Sequence, residues 1–555
     1  MRPLPWWQRG VIYQIYPRSF ADSDGDGVGD LRGITARLDY LSEVLGVDAL
    51  WLSPHYPSPQ DDFGYDVSDY CQVDPVYGSL ADFDEMVEAA HGRGLKVMVD
   101  FVPNHTSDRH AWFVESASSP ASPKRDWYVW RDARPDGSLP NNWVSLFGGP
   151  AWQWHQASGQ YYLHSFLASQ PDLNWRNPEV KTAMLDVLRF WLKRGVDGFR
   201  IDVASRIMKD PLLRDNPPAS VIDPDSFKFN PEWAATEHIH DAAHPDIHQA
   251  FREIRRVLDE YPDRFAVGEI HDWDWERWAS YYGEGDELHM PFNFAPLRSG
   301  IDPAKLTDVI LSMEAALPPG AWPNWVFGNH DEPRVATRLG WEQSRAMAVL
   351  LLTLRGTPTL YYGDELGMVE TEIAAEDQQD PYGRRVPGYG RDGCRTPMQW
   401  TAASNAGFSD CPAGATWLPV HPDHRRHNVE SELADPGSHL QLYRRLLGLR
   451  RAEPALHAGA IDVLPGPRQL LRFRRTHPGS VAYLVLANLS PTSVSQAIEG
   501  ELVVGTDHRR EGNRFTGELG PWEAVVLATT AWEGGAARLP PGGVTVPASG
   551  FCSRS

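Results

Sequence analysis

Between Val11 and Glu365 the chain alternates apolar, strand-like runs with stretches of helical spacing, and that alternation leaves few folds open. The strand-like runs are VIYQIYP (11–17), VDALWLSP (47–54), LKVMVDFVP (95–103), VDGFRID (196–202), FAVGEI (265–270), NWVFGNHD (324–331) and TPTLYYGDE (357–365). Among them lie the helical patterns LADFDEMVEAAHGRG (80–94), VKTAMLDVLRFWLKRG (180–195), FREIRRVLDEYP (251–262) and SRAMAVLLLTLRG (344–356), each ended by glycine or proline. Apolar strands linked through helices make a parallel sheet covered on both faces. Continued over about 450 residues, the pattern predicts a (β/α)8 TIM barrel rather than an open sheet.

Three acids end three of these strands: Asp202 closes GFRID (198–202), Glu269 follows FAVG, and Asp331 closes GNHD. The C-terminal ends of barrel strands share one rim, so the three acids can converge there. Two carboxyl groups facing one bond are what glycoside hydrolysis requires. Each acid alone also has a plainer reading. Arg200–Asp202 could be a buried ion pair closing the barrel, Glu269 a helix-start glutamate, and Asn-His-Asp a loop or cap.

At 555 residues the chain exceeds a single core. Two stretches interrupt the alternation on the active-site side of the barrel. Residues 105–171 are rich in Trp, Pro, Gly and Asn with no helical period, and read as a small domain B inserted after the third strand. Residues 205–245 form a long polar segment after the fourth. After the helical SHLQLYRRLLGLRRAEPAL (438–456), the runs QLLRFRR, SVAYLVLANL and EAVVLATT predict a separate antiparallel β-sandwich. The expected organisation is a barrel at 1–104 and 172–460, domain B at 105–171, a C-terminal sandwich at 461–532, and a flexible Gly/Pro/Ser-rich tail at 533–555.

A formal net charge of −22 argues against nucleic acid and anionic membranes as partners. No h-region opens the chain and no 18-residue apolar run occurs, so neither a signal peptide nor a membrane span is expected. Cys71, Cys394, Cys411 and Cys552 form no C-x-x-C pair. Free thiols and a cytoplasmic location follow as expectations. Aromatic faces suit sugar rings, although core packing must account for most of the 22 Trp and 19 Tyr.

Residues 22–30 read DSDGDGVGD, with acids at loop positions 1, 3, 5 and 9 and glycine at 6, as in a calcium loop. Position 12 is Gly33, so the usual bidentate glutamate is missing. A structural Ca2+ or Mg2+ held by Asp22, Asp24, Asp26, the Val28 carbonyl and Asp30 is the expectation, with a plain acidic turn as the alternative. His238, His240, His244 and His248 lack the HExxH signature and read as a solvated loop.

FVPNH (101–105), GFRID (198–202), VGEI (267–270) and GNHDEPR (328–334) together resemble the four short signatures of the α-amylase superfamily, glycoside hydrolase family 13, in the family's order. QPDLN (170–174), WWQRGVIYQIYPRSF (6–20), FGYDVSDY (63–70), GTPTLYYGDELGM (356–368) and RDGCRTPMQW (391–400) are similar to its α-glucosidase and oligo-1,6-glucosidase branch. The resemblance spans residues 6 to about 530.

It implies a retaining exo-α-glucosidase acting on short oligosaccharides or disaccharides, with transglucosylation on the side. Asp202 would be the nucleophile, Glu269 the acid and base with a raised pKa, and Asp331 the third, transition-state-stabilising acid. Arg200 would hold the charge of Asp202. His105 and His330 would bond sugar hydroxyls. Asp66, paired with Arg391, would form the wall closing the non-reducing end, and Tyr65, Phe147 and Phe166 would stack on the terminal glucose. Val203, after the nucleophile, hints at α-1,6 linkages, whereas RDNPP (214–218) resembles broader α-glucosidases. An oligo-1,6-glucosidase is therefore the second reading, an isomerase such as trehalose synthase the third, and a non-catalytic relative the last.

Overall fold

The computed structural model describes residues 4–220 and 231–529. The expected 533–555 tail and part of the 205–245 segment lie outside them. Eight parallel strands form the barrel: β1 (Ile12–Ile15), β2 (Ala49–Leu52), β3 (Lys96–Phe101), β4 (Gly198–Ile201), β5 (Phe265–Gly268), β6 (Met290–Pro291), β7 (Asn324–Val326) and β8 (Thr357–Tyr361). Their order runs β7-β8-β1-β2-β3-β4-β5-β6, with each ladder between neighbours parallel. No ladder joins β6 to β7 among the described residues, so the barrel is nearly closed.

Side chains alternate along each strand with period two. Ile12, Trp51, Met98, Phe265 and Val267 fill the interior, while Tyr13, Leu50, Val99, Phe199 and Ala266 pack against the outer helices. Four of those helices match the expected patterns: Leu80–Gly92, Pro178–Lys193, Ile247–Asp259 and Trp341–Thr353. The first starts in a capping box between Ser79 and Asp82, which satisfies two otherwise orphaned backbone donors.

The 105–171 insertion is less irregular than its composition implied. It holds a helix at Ala111–Ser118, seeded by His110 at its N-cap. A three-stranded antiparallel sheet follows, from Trp130–Arg131, Trp152–His155 and Gln160–Leu163. A bridge between His105 and Asp172 pins its two ends together. Asp172, fully buried, accepts from Ser165 and Asn104 and pairs with Lys209 Nζ at 2.8 Å, tying the insertion to the barrel rim.

Beyond the helix His439–Ala452, a six-stranded antiparallel sheet and a two-stranded one occupy Ala460 to Thr529. One buried arginine joins this region to the barrel, and a second braces the helix that precedes it. Arg475 donates to the carbonyls of Thr353 and Gly459, and Arg450 to those of Leu352, Gly356 and Leu456. No described helix is long and apolar enough to cross a membrane.

Arg450 is 1% exposed, whereas its neighbour Arg451 has a side chain 55% exposed. Arg450→Met should strand several buried carbonyls and cost about 3 kcal/mol. Arg451→Met should cost little. Thermal unfolding of the two variants, side by side, checks this.

Candidate active site

At the upper end of the barrel the inward positions turn polar. Trp51 Nε1 donates to Asp100 Oδ2 at 2.8 Å, and Arg200 Nη1 reaches Asp100 Oδ1 at 2.7 Å. The same guanidinium holds Asp202 Oδ1 at 2.5 Å and Glu269 Oε2 at 2.8 Å. Asp202 and Glu269 stand immediately after β4 and β5, which are adjacent parallel strands. One guanidinium spanning both carboxylates fits the short separation of about 5–5.5 Å used by retaining enzymes better than the wider inverting one.

Burial, with the negative charges of Glu269 and Asp100, pushes the Asp202 pKa well up against the pull of Arg200. Burial also acts to raise Glu269, but Arg200 and His271 overcome it and hold that carboxyl below the ordinary range. The sequence implied the reverse, a protonated Glu269 beside an ionised Asp202. The difference is local: Glu269 receives Arg200, His271 at 3.1 Å and the Val203 N–H at 2.9 Å. Two close carboxylates share what is in effect one proton. Val203 supplies its N–H from a left-handed conformation at φ +37°, which is costly for a β-branched residue.

Asp331 is held by Arg391 Nη1 at 2.8 Å and Arg395 Nη2 at 3.0 Å. Arg391 also grips Asp62 at 2.9 Å and Asp380 at 2.6 Å. The expected Arg391–Asp66 pair is therefore corrected. Asp66 is fully buried beneath the loop, accepting from Ser58 Oγ and from the N–H groups of Asp61 and Asp62. It shapes the turn that presents Asp62, and it is Asp62 that reaches the cavity and the arginine. Three residues separate the two acids, Asp62 just before the FGYD motif and Asp66 at its end, so sequence alone did not tell them apart. Asp380 and Arg395 were missed as well.

The cavity above these groups measures about 640 Å³. Asp62, Tyr65, His105, Phe147, Phe166, Asp202, Glu269, Asp331 and Arg391 all line it. Phe147 lies nearly parallel to Tyr382, 4.9 Å away, packs edge-on to Phe166, and sits under the Arg391 guanidinium. Arg200 and His330 lie behind the lining, fully buried. His330 accepts from Gln14 at Nδ1, which leaves Nε2–H to donate to Tyr65 Oη at 2.7 Å. Both its nitrogens are thus engaged before any sugar arrives, and burial lowers its pKa to about 3. His105 Nε2 faces the Tyr65 carbonyl and the Gln170 amide, and burial brings its pKa to about 4.

In the acidic loop, carboxylate oxygens of Asp22, Asp24 and Asp30 lie within 4.8 Å of one another. Asp26 is not in that group, and its Oδ1 accepts the Val28 N–H. A Cβ at Gly33 would meet the Ala21 carbonyl oxygen at 2.1 Å, so position 12 has no room for a side chain. The four histidines pair with four different acids: His238 with Asp241, His240 with Asp210, His244 with Asp246 and His248 with Glu287. They form no shared centre, and the His238 and His248 pairs are tighter than a solvated loop would make them.

Residues 14–459 match the alpha amylase catalytic domain. The chain belongs to the α-amylase family. It is 45% identical over 539 residues to a probable alpha-glucosidase of Rhizobium meliloti, covering 93% of this chain and 94% of that one. It is 38% identical to an oligo-1,6-glucosidase of Parageobacillus thermoglucosidasius, covering 94% and 98%. The crystal structure of an alpha-glucosyl transfer enzyme superposes with a TM-score of 0.87 at 45% identity, over 95% of this chain and all of that one.

The corrected assignment separates two acids. Asp62→Asn should cut kcat/KM on short glucosides at least about a hundredfold, as loss of a buried charged contact to substrate would, while thermal stability barely moves. Asp66→Asn, which loosens the Ser58–Asp62 turn, should lower the unfolding temperature. Paired kinetics and melting curves distinguish them.

Proposed function

We propose that this protein is a retaining, exo-acting α-glucosidase that releases α-glucose from the non-reducing end of short α-glucosides of the maltose, isomaltose or sucrose type. The observation that carries this is the Arg200 guanidinium spanning Asp202 and Glu269, beside a cavity closed by the Asp62–Arg391–Asp331 cluster. In the first half-reaction an Asp202 oxygen bonds to the anomeric carbon. The glycosidic C–O bond breaks and Glu269 gives its proton to the departing oxygen. In the second, Glu269 takes a proton from water, the water oxygen bonds to the anomeric carbon, and Asp202 departs.

The Arg391 cluster supports exo action, because a sugar bound against it finds its 4-hydroxyl side walled off. A sugar hydroxyl in place of the second-step water gives transglucosylation. Linkage preference rests on weaker ground. Val203, beside the nucleophile, favours an oligo-1,6-glucosidase as the second reading, and one methyl-for-hydroxyl difference is worth only modest discrimination. An isomerase of the trehalose synthase type is the third. EPRVATRLGW (332–341) does not resemble the arginine-rich loop of sucrose isomerases.

The Asp22–Asp30 loop offers the hard oxygen donors that Ca2+ or Mg2+ prefers. Asp22, Asp24 and Asp30 would hold the ion in a purely structural role. Removing divalent cations with EDTA should lower the unfolding temperature, and Ca2+ should restore it; an unchanged melt would mean a plain acidic turn.

A time course by proton NMR on maltose and isomaltose tests the main reading. α-Glucose should appear before β-glucose, and the faster substrate reports the linkage. Asp202→Asn should remove turnover by about 10⁴-fold or more with the fold intact. First release of β-glucose, or an active Asp202→Asn, would defeat the proposal.

A further inference from the structure

His271 stands two residues beyond Glu269 and is absorbed by none of the roles above. Its ring lies flat on Phe294, centroids 4.3 Å apart and planes 3° from parallel. Its Nε2 is 3.1 Å from Glu269 Oε1. It lines the cavity with its side chain 35% exposed. The two oxygens of Glu269 are therefore unequal. Oε2 accepts from Arg200 and from the Val203 N–H, donors fixed in the barrel rim. Oε1 is the oxygen left to carry a proton to or from the reacting group, and among the described residues His271 is in contact with it.

We propose that His271 is a positioning residue that holds Glu269 Oε1 in the carboxylate form and so sets the upper pH limit of the acid step. This rests on the reading of Glu269 as acid and base. A donor on Oε1 stabilises the anion. It weakens Glu269 as the base that takes a proton from water or an acceptor hydroxyl as that oxygen bonds to the anomeric carbon and Asp202 leaves, because the proton lands on the oxygen that the imidazole stabilises. It opposes when Glu269 must be protonated for the glycosidic bond to break. To act as acid, Oε1 has to exchange the imidazole for the leaving oxygen, and the half-exposed ring on Phe294 has room on its cavity side to let go.

The other charged groups around the pair are accounted for. Arg200 lowers the Glu269 pKa and Asp331 raises it, and Asp202 and Asp100 share Arg200. Near His271, Asp272 is neutralised by Arg277 at 2.8 Å, and Arg298 lies over Trp273. Phe294 brings no charge of its own. His271 is thus the one close partner of Oε1 that can be removed without dismantling the Arg200 cradle.

The test is the pH dependence of kcat/KM on maltose for the full-length enzyme and for His271→Phe, which keeps a flat ring and loses the N–H, and His271→Gln, which keeps an N–H donor. Losing a hydrogen bond to a charged group should move the alkaline limb up by about one pH unit in His271→Phe, with His271→Gln restoring part of the difference. On an aryl α-glucoside whose leaving group needs no proton, the alkaline limb of kcat/KM should be the same in His271→Phe and in the parent, because the bond then breaks without a protonated Glu269. An alkaline limb on maltose unmoved in His271→Phe, or a shift that His271→Gln shares in full, would overturn the proposal. Glu269→Gln in the same assay separates the two levels. If it still hydrolyses maltose at the parent rate, the reading of Glu269 itself has failed and the His271 inference falls with it. If it is inactive while the His271→Phe limb stays put, only the His271 inference fails.

Discussion

The active end of this barrel is organised around one buried guanidinium. Arg200 is 1% exposed and meets three carboxylates, Asp100, Asp202 and Glu269, from three adjacent strands. Three unpaired carboxylates in so little water would not remain ionised together. With Arg200 among them, the strand ends can carry acids at all. The inward register of β4 makes this possible. Gly198 and Arg200 point into the barrel while Phe199 and Ile201 face the helices, so a one-residue slip would bury the guanidinium among apolar side chains.

A second arginine does for the end wall what the first does for the reacting carboxylates. Arg391 meets Asp62, Asp331 and Asp380, contributed by three separate loops. Holding Asp380 below the usual range, with its pKa near 2, and lying over the Phe147 ring, it converts mobile loops into a fixed wall. A buried ion cluster of this kind is poor evidence for net stability, since desolvation offsets much of the attraction. Its value is placement: it fixes Asp62, Asp331 and Asp380 relative to one another around Arg391.

Most of the barrel was legible because its strands and helices are long and strongly periodic. The sixth strand was not. Met290–Pro291 is two residues long, flanked by His289 and Phe292, and carries no alternation to read. The helix at 111–118 hid among the Trp and Pro of its surroundings because at eight residues it is too short for a helical period to repeat. The three acids Asp202, Glu269 and Asp331 were visible through strand-end position. The partner of Arg391 was not, because a loop that crowds Asp61, Asp62 and Asp66 into six residues leaves their directions to tertiary packing. The protonation of the acid pair was also beyond sequence, since it depends on His271 and the Val203 amide closing on Glu269. Both are near neighbours in the fold, and nothing in their spacing announces the contact.

The central claim is that Asp202, steadied by Arg200, bonds covalently to the sugar. A slow fluorinated glucosyl donor, added to the enzyme and followed by mass spectrometry of proteolytic peptides, tests it directly. The account predicts one fluoroglucosyl adduct per chain, on the peptide bearing Asp202. An adduct on Glu269 or Asp331, or turnover of the donor with no covalent species at any time, would contradict it.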